Sequence, residues 1–138
     1  MEKISVVIPV YNGERYIKDA VDSALNQSYE NIEVIIINDA STDRTEDIIF
    51  QHFGNLLGSK IIYHRNKTNR ERAYSRNKGV ELSSGKYIFF LDYDDKWKTD
   101  YLKESVEYLK DYDIVYSFPK TFINSKGEVI RKSKKITI

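Results

Sequence analysis

The chain opens with a continuous β-branched run, Ile4 to Pro9 (ISVVIP), the pattern of a strand covered on both faces. Tyr11-Asn12-Gly13 breaks it, and Asn12 is placed to cap a helix whose stripe is Tyr16, Ile17, Ala20, Val21, Ala24 and Leu25. A second buried strand is predicted over Glu33 to Asn38 (EVIIIN), ending in the turn and cap residues Asp39-Ala40-Ser41-Thr42-Asp43. Asp43 and Glu46 form a variant capping pair for the next helix, which buries Ile48, Ile49 and Phe53. Lys60 to His64 reads as a third strand. The charged stretch Arg65 to Arg72 reads as a loop leading into a helix over Ala73 to Leu82. Lys86 to Leu91 (KYIFFL) is the fourth strand, followed at once by Asp92-Tyr93-Asp94-Asp95. Thr99 or Asp100 then caps a helix bearing Leu102, Val106 and Leu109. Asp113 to Phe118 (DIVYSF) is a fifth strand, and Thr121 to Ile130 a hairpin turning at Ser125-Lys126-Gly127.

Strand and helix alternate with short connections, so the expected fold class is α/β: a mostly parallel, Rossmann-like sheet with helices on both faces. In such folds ligands bind beyond the carboxyl ends of the strands. Three polar clusters fall directly after three of the strands: Pro9 to Asn12, Asp39 to Asp43, and Asp92 to Asp95. Each alone is an ordinary strand ending; their convergence on one rim is the informative expectation.

Composition narrows the class without deciding it. With 138 residues, 41% apolar and 31% charged, the chain suits one soluble globular domain. A net charge of +1 gives no steering toward nucleic acid. There is no cysteine, which removes disulfides and thiolate zinc sites. The N-terminal apolar run is too short for a membrane span or for the core of a signal peptide. The chain therefore reads as cytoplasmic, with the inner face of the membrane as a second place for it. After Phe118 the chain carries Lys120, Lys126, Arg131, Lys132, Lys134 and Lys135 against the single acid Glu128. A solvated edge explains such a run, and a patch for a membrane surface or acidic partner is the alternative.

If the chain is still extended at Asp92, a period of two puts Asp92 and Asp94 on one side. Two hard carboxylates there suit Mg²⁺ or Mn²⁺, which take further ligands from water and phosphate. Asp39 is either a helix cap or an acceptor for a ring N–H of a base. Tyr11 either fills a corner or offers a stacking surface. Arg72 and Arg76, four apart on the third helix, either face solvent or meet a diphosphate.

VVIPVYN (Val6 to Asn12), VIIINDASTD (Val34 to Asp43), SRNKG (Ser75 to Gly79) and SGKYIFFLDYDD (Ser84 to Asp95) together resemble the inverting family 2 glycosyltransferases of GT-A fold, over residues 3–122. The resemblance implies a nucleotide-sugar-binding part at residues 1–122, with residues 123–138 a hairpin and basic tail outside it. It implies that Pro9 and Tyr11 line the nucleoside pocket, that Asp39 receives the uracil ring N–H, and that Arg76 lies beside the donor. Asp92 and Asp94 match the family's DxD motif, Asp94 as direct ligand to Mn²⁺ or Mg²⁺ and Asp92 nearer the ribose or a metal-bound water. A UDP-sugar donor and a glycan or lipid-linked acceptor are the implied partners, with peripheral membrane association and a homodimer as further expectations. The family's general base is expected downstream of Ile138. Ala40 stands where the family commonly has glycine after the second-strand acid, and Asn69-Arg70-Glu71-Arg72 lacks the family's usual glycines. A nucleotidyltransferase, or a non-catalytic nucleotide-sugar-binding module, are the rival readings. The first would want a glycine-rich basic loop where Tyr11-Asn12-Gly13-Glu14 stands.

Overall fold

The computed structural model describes residues 1–117, 121–123, 126 and 128–132. Contacts divide the chain into two compact units, Met1–Glu104 and Ser105–Ile138. The first contains β1 (Ile4–Val10), α1 (Ile17–Leu25), β2 (Ile32–Asn38), α2 (Thr45–Phe53), β3 (Ile61–Arg65), α3 (Glu71–Leu82) and β4 (Tyr87–Phe90). A helix α4 (Tyr101–Tyr108) follows, then β5 (Thr121–Ile123) and β6 (Val129–Lys132), which pair antiparallel. The predicted hairpin turn lies largely outside the described residues, at Ser125 and Gly127.

The four strands of the first unit form one parallel sheet in the order β3-β2-β1-β4. Ile4 sits opposite both Ile32 and Tyr87, and Val10 opposite Asn38, so the strands end close to one another. Every residue of β1 is buried, as its unbroken apolar pattern demands. Right-handed crossovers carry α1 and α2 over one face as the chain steps from β1 to β3. The return from β3 to β4 reverses direction, so α3 covers the other face, packed on β1 and β2. Between them Val7, Ile35 and Ile37 form a fully buried cluster, joined by Ile62 and Leu82. Gly79 lets α3 approach β1, because a Cβ there would fall 2.2 Å from Val7 Cγ1.

The amino-terminal rim of the sheet is tied by one buried acid. Glu33, 5% exposed, accepts hydrogen bonds from Ser5 Oγ (2.6 Å) and Ser84 N (2.7 Å), and pairs with Lys3 Nζ at 2.5 Å. Burial pushes this carboxyl up, but the donors from Lys3, Ser5 and Ser84 outweigh it and hold the pKa at about 2.

Three local expectations are corrected. Residues 113–117 form no strand, and Ile114 and Tyr116 stand 83% and 75% exposed. The alternating pattern was there, but among the described residues no neighbouring strand completes its ladder; Phe118 lies outside them. Asn12 is not a helix cap: its φ is +50° and its side chain turns to the loop after β2, while α1 starts later with no side-chain cap. Asp43 does meet the first turn of α2, accepting from Thr45 N at 3.0 Å, but Glu46 turns away to Tyr63 and Arg65 instead of closing a capping box.

Candidate functional site

The strand order reverses between β1 and β4, and a cleft of about 200 Å³ opens at the carboxyl ends of β1, β2 and β4. Pro9, Val10 and Tyr11 come from the end of β1, Asp39 from β2, and Asp92 and Tyr93 from the turn after β4. The start of α3 closes it with Asn69, Glu71, Arg72 and Ser75. The three tips predicted to meet therefore do so.

Two of these loops are stapled to each other. Asp39 N donates to Val10 O (2.8 Å), Asn12 N to Ser41 Oγ (3.0 Å), Thr42 N to Asn12 Oδ1 (2.7 Å) and Glu14 N to Asp43 Oδ2 (3.1 Å). Behind the second loop, Asn38 Oδ1 accepts from Ser41 N, and Asn38 Nδ2 donates to the Tyr63 hydroxyl, which itself donates to Glu46. Burial, reinforced by that bond to Glu46, pushes the Tyr63 phenol up to about 12. The left-handed turn that the second loop needs falls on Ala40, with φ +60°, and the entry to α3 needs another at Glu71, with φ +69°. These are the positions where glycine would cost least.

Tyr11 lines the cleft and is 42% exposed. Asp39 is buried, with Oδ1 accepting from Asn66 Nδ2 (2.6 Å) and Arg70 N (2.8 Å). Its other oxygen accepts no hydrogen bond among the described residues, and it is not one of their fully buried unpaired side-chain atoms, where only Arg76 Nε occurs. Asp39 lines the cleft, and Oδ2 is the oxygen it has left for a ligand.

Arg76 does not line the cleft directly. Its Nη2 donates to Asp92 Oδ1 at 2.8 Å, and its guanidinium lies 5.6 Å above the Phe90 ring. The chain does not stay extended past Asp92: Asp95 N donates to Asp92 O at 3.0 Å, closing a turn. The period-two argument for Asp92 and Asp94 therefore fails. Asp94 is exposed on this turn and is not a lining residue. Burial pushes the Asp95 carboxyl up, and the charges of Asp94 and Asp92 add to it, so three acids crowd one short turn. Tyr93 is also pushed up, by burial and then by the Asp94 charge.

The sequence reading missed Asn69, Glu71, Ser75 and Tyr93 as lining residues, and Asn66 behind Asp39. For Asn66, Asn69 and Glu71 the only hint was the dense polarity of residues 65–72, while Tyr93 and Ser75 lay inside the quoted motifs without a role of their own.

Residues 5–136 match the family described as glycosyl transferase family 2. The chain belongs to that family. The transferase domain is 40% identical over 115 residues to TuaG of Bacillus subtilis (strain 168), whose name assigns it to teichuronic acid biosynthesis; the match covers 83% of this chain and 45% of that protein. It is 37% identical over 123 residues to WfaP of Escherichia coli, named a UDP-Glc:alpha-D-GlcNAc-diphosphoundecaprenol beta-1,3-glucosyltransferase, covering 89% and 47%. In structure it resembles S. aureus TarS 1-349 in complex with UDP-GlcNAc, with a TM-score of 0.71, 28% identity, and coverage of 80% and 32%. The transferase domain thus spans about half the length of the curated relatives it matches. The Rossmann-like GT-A fold holds, and among the described residues no helix is long and apolar enough to cross a membrane.

Proposed function

We propose that this domain binds the nucleotide of a UDP-sugar in the cleft at the β1–β4 switch point, and that the protein transfers the sugar, with inversion, to a glycan or lipid-linked acceptor during polysaccharide synthesis. The observation that carries the reading is Asp39. One of its oxygens is filled by protein donors, the other accepts no hydrogen bond among the described residues, and Asp39 lines the same cleft as the half-exposed Tyr11. Uracil offers one ring N–H and a flat face. Stacking on a tyrosine is worth about 1–3 kcal/mol in comparable nucleic-acid sites.

A divalent metal fits the acidic turn in character. Asp92, Asp94 and Asp95 are hard oxygen donors whose mutual repulsion a cation would relieve. Mg²⁺ and Mn²⁺ keep few protein ligands, so two carboxylates suffice when water and phosphate oxygens supply the rest. Asp94 and Asp92 would hold it, and when bound it would neutralise charge on the departing diphosphate. Arg72 brings positive charge to the cleft, and Arg76, paired with Asp92, keeps a buried Nε–H that has no partner among the described residues. In the reaction an acceptor hydroxyl attacks the anomeric carbon as the bond to diphosphate breaks. The residues of this cleft account for holding the donor and stabilising the leaving group; the base that takes the hydroxyl proton is not assigned among them.

Calorimetric titration of the chain with UDP, GDP and dTDP, each with and without Mn²⁺, tests the proposal. Tightest binding of UDP, strengthened by Mn²⁺, is the expected result. Absence of UDP binding at millimolar concentration, with the metal present, removes the proposal.

A further inference from the structure

We infer that Asn66 is a specificity-determining positioning residue: by filling one oxygen of Asp39, it restricts the cleft to nucleobases that present a single ring N–H. The inference rests on the nucleotide-binding reading above and names the base class it selects. Asn66 follows β3 and is 5% exposed, with its own N–H donating to Asn38 O at 2.8 Å. Both hydrogens of its side-chain amide are committed: Nδ2 donates to Asp39 Oδ1 at 2.6 Å and to Ser75 Oγ at 3.1 Å. Arg70 N donates to the same Oδ1 at 2.8 Å. A carboxylate oxygen has about two lone-pair sites, so Oδ1 is saturated and Oδ2 alone can meet a ligand.

Uracil and thymine present one N–H between two carbonyls, which one free oxygen satisfies. Guanine presents its ring N–H and exocyclic amine side by side, and pairing both requires both oxygens of a carboxylate. In this cleft the amine would face an oxygen already filled, and a buried donor left unpaired costs about 1–3 kcal/mol. Asn66 does not line the cleft; it acts through Asp39, by spending an acceptor that the ligand would otherwise use.

The test compares nucleotides that differ only in this group. Inosine diphosphate has the ring N–H of guanosine diphosphate but not its amine. With Mn²⁺ present, the 138-residue chain is expected to bind inosine diphosphate about tenfold tighter than guanosine diphosphate. In Asn66→Ala and in the volume-conserving Asn66→Leu, that ratio is expected to fall to near one, and the preference for UDP over GDP to shrink about tenfold. Equal binding of the two purine nucleotides by the unsubstituted chain overturns the inference without need of any variant. So does a variant that stays folded by thermal melting and weakens all nucleotides together with the ratios intact, since that marks a purely structural asparagine. If the unsubstituted chain binds inosine diphosphate but not UDP, the uridine reading fails while the role of Asn66 survives.

Discussion

Glu33 gives a quantitative test of the fold that is independent of the cleft, because it lies at the opposite rim of the sheet. Its carboxyl is held at about 2, well below the ordinary 4.5. At about 1.4 kcal/mol per unit, the charged form contributes about 3 kcal/mol to folding. A depressed carboxylate stabilises above its unfolded pKa and loses that contribution as pH falls through the folded one. The window is therefore pH 4.5 down to about 2. Glu33→Gln removes the charge and sets an amide against the Ser5 and Ser84 donors, so at pH 7 it is expected to lose about 3 kcal/mol or somewhat more. Urea denaturation of both proteins from pH 7 to pH 2.5 reads the gap, and other carboxylates cancel in the difference. The gap should be constant above pH 5 and narrow steadily below 4.5. Lys3→Ala should cost much less, about 1 kcal/mol at most, because the Lys3 side chain is 40% exposed and its pairing is screened. A Glu33→Gln gap that stays flat from pH 7 to pH 2.5 would refute the account of this network.

Asp94→Ala should weaken Mn²⁺-dependent UDP binding about tenfold or more and leave metal-free binding alone; unchanged calorimetry with Mn²⁺ counts against the metal assignment. Glu71→Gly should raise thermal stability despite introducing glycine. Relief of a left-handed residue is worth about 1–2 kcal/mol, against roughly 0.4–1 kcal/mol of added chain entropy, and a lower melting temperature would contradict the φ of +69°. Gly79→Ala should destabilise by about 1–3 kcal/mol from crowding against Val7, more than the roughly 1 kcal/mol gained in helix propensity. A more stable Gly79→Ala protein in urea would mean that α3 does not press on β1 as described.

The sheet was legible because β1 and β2 are long β-branched runs whose burial leaves few alternatives, and the helices because their apolar residues recur at helical spacing. The site was legible at the level of which loops meet, since parallel strands must finish at one rim. It was not legible at the level of contacts. Asp39 offered a cap reading and an acceptor reading, and its bonds to Asn66 and Arg70 depend on a turn around Glu71 that no periodicity describes. The period-two spacing of Asp92 and Asp94 did not apply because the strand ends before them and the chain turns. The run at 113–117 misled because alternation tells only what a strand would bury, not whether a neighbour exists to pair with it.

Three of the four segments that line the cleft hold or border on a non-glycine residue in the left-handed region, Asn12, Ala40 and Glu71, and the turn after β4 does not. Left-handed backbone is thus gathered at the cleft rim, while the far rim is cross-tied through Glu33. Under gentle denaturation, amide protons in those three loops should exchange first, well ahead of the β1 and β2 amides.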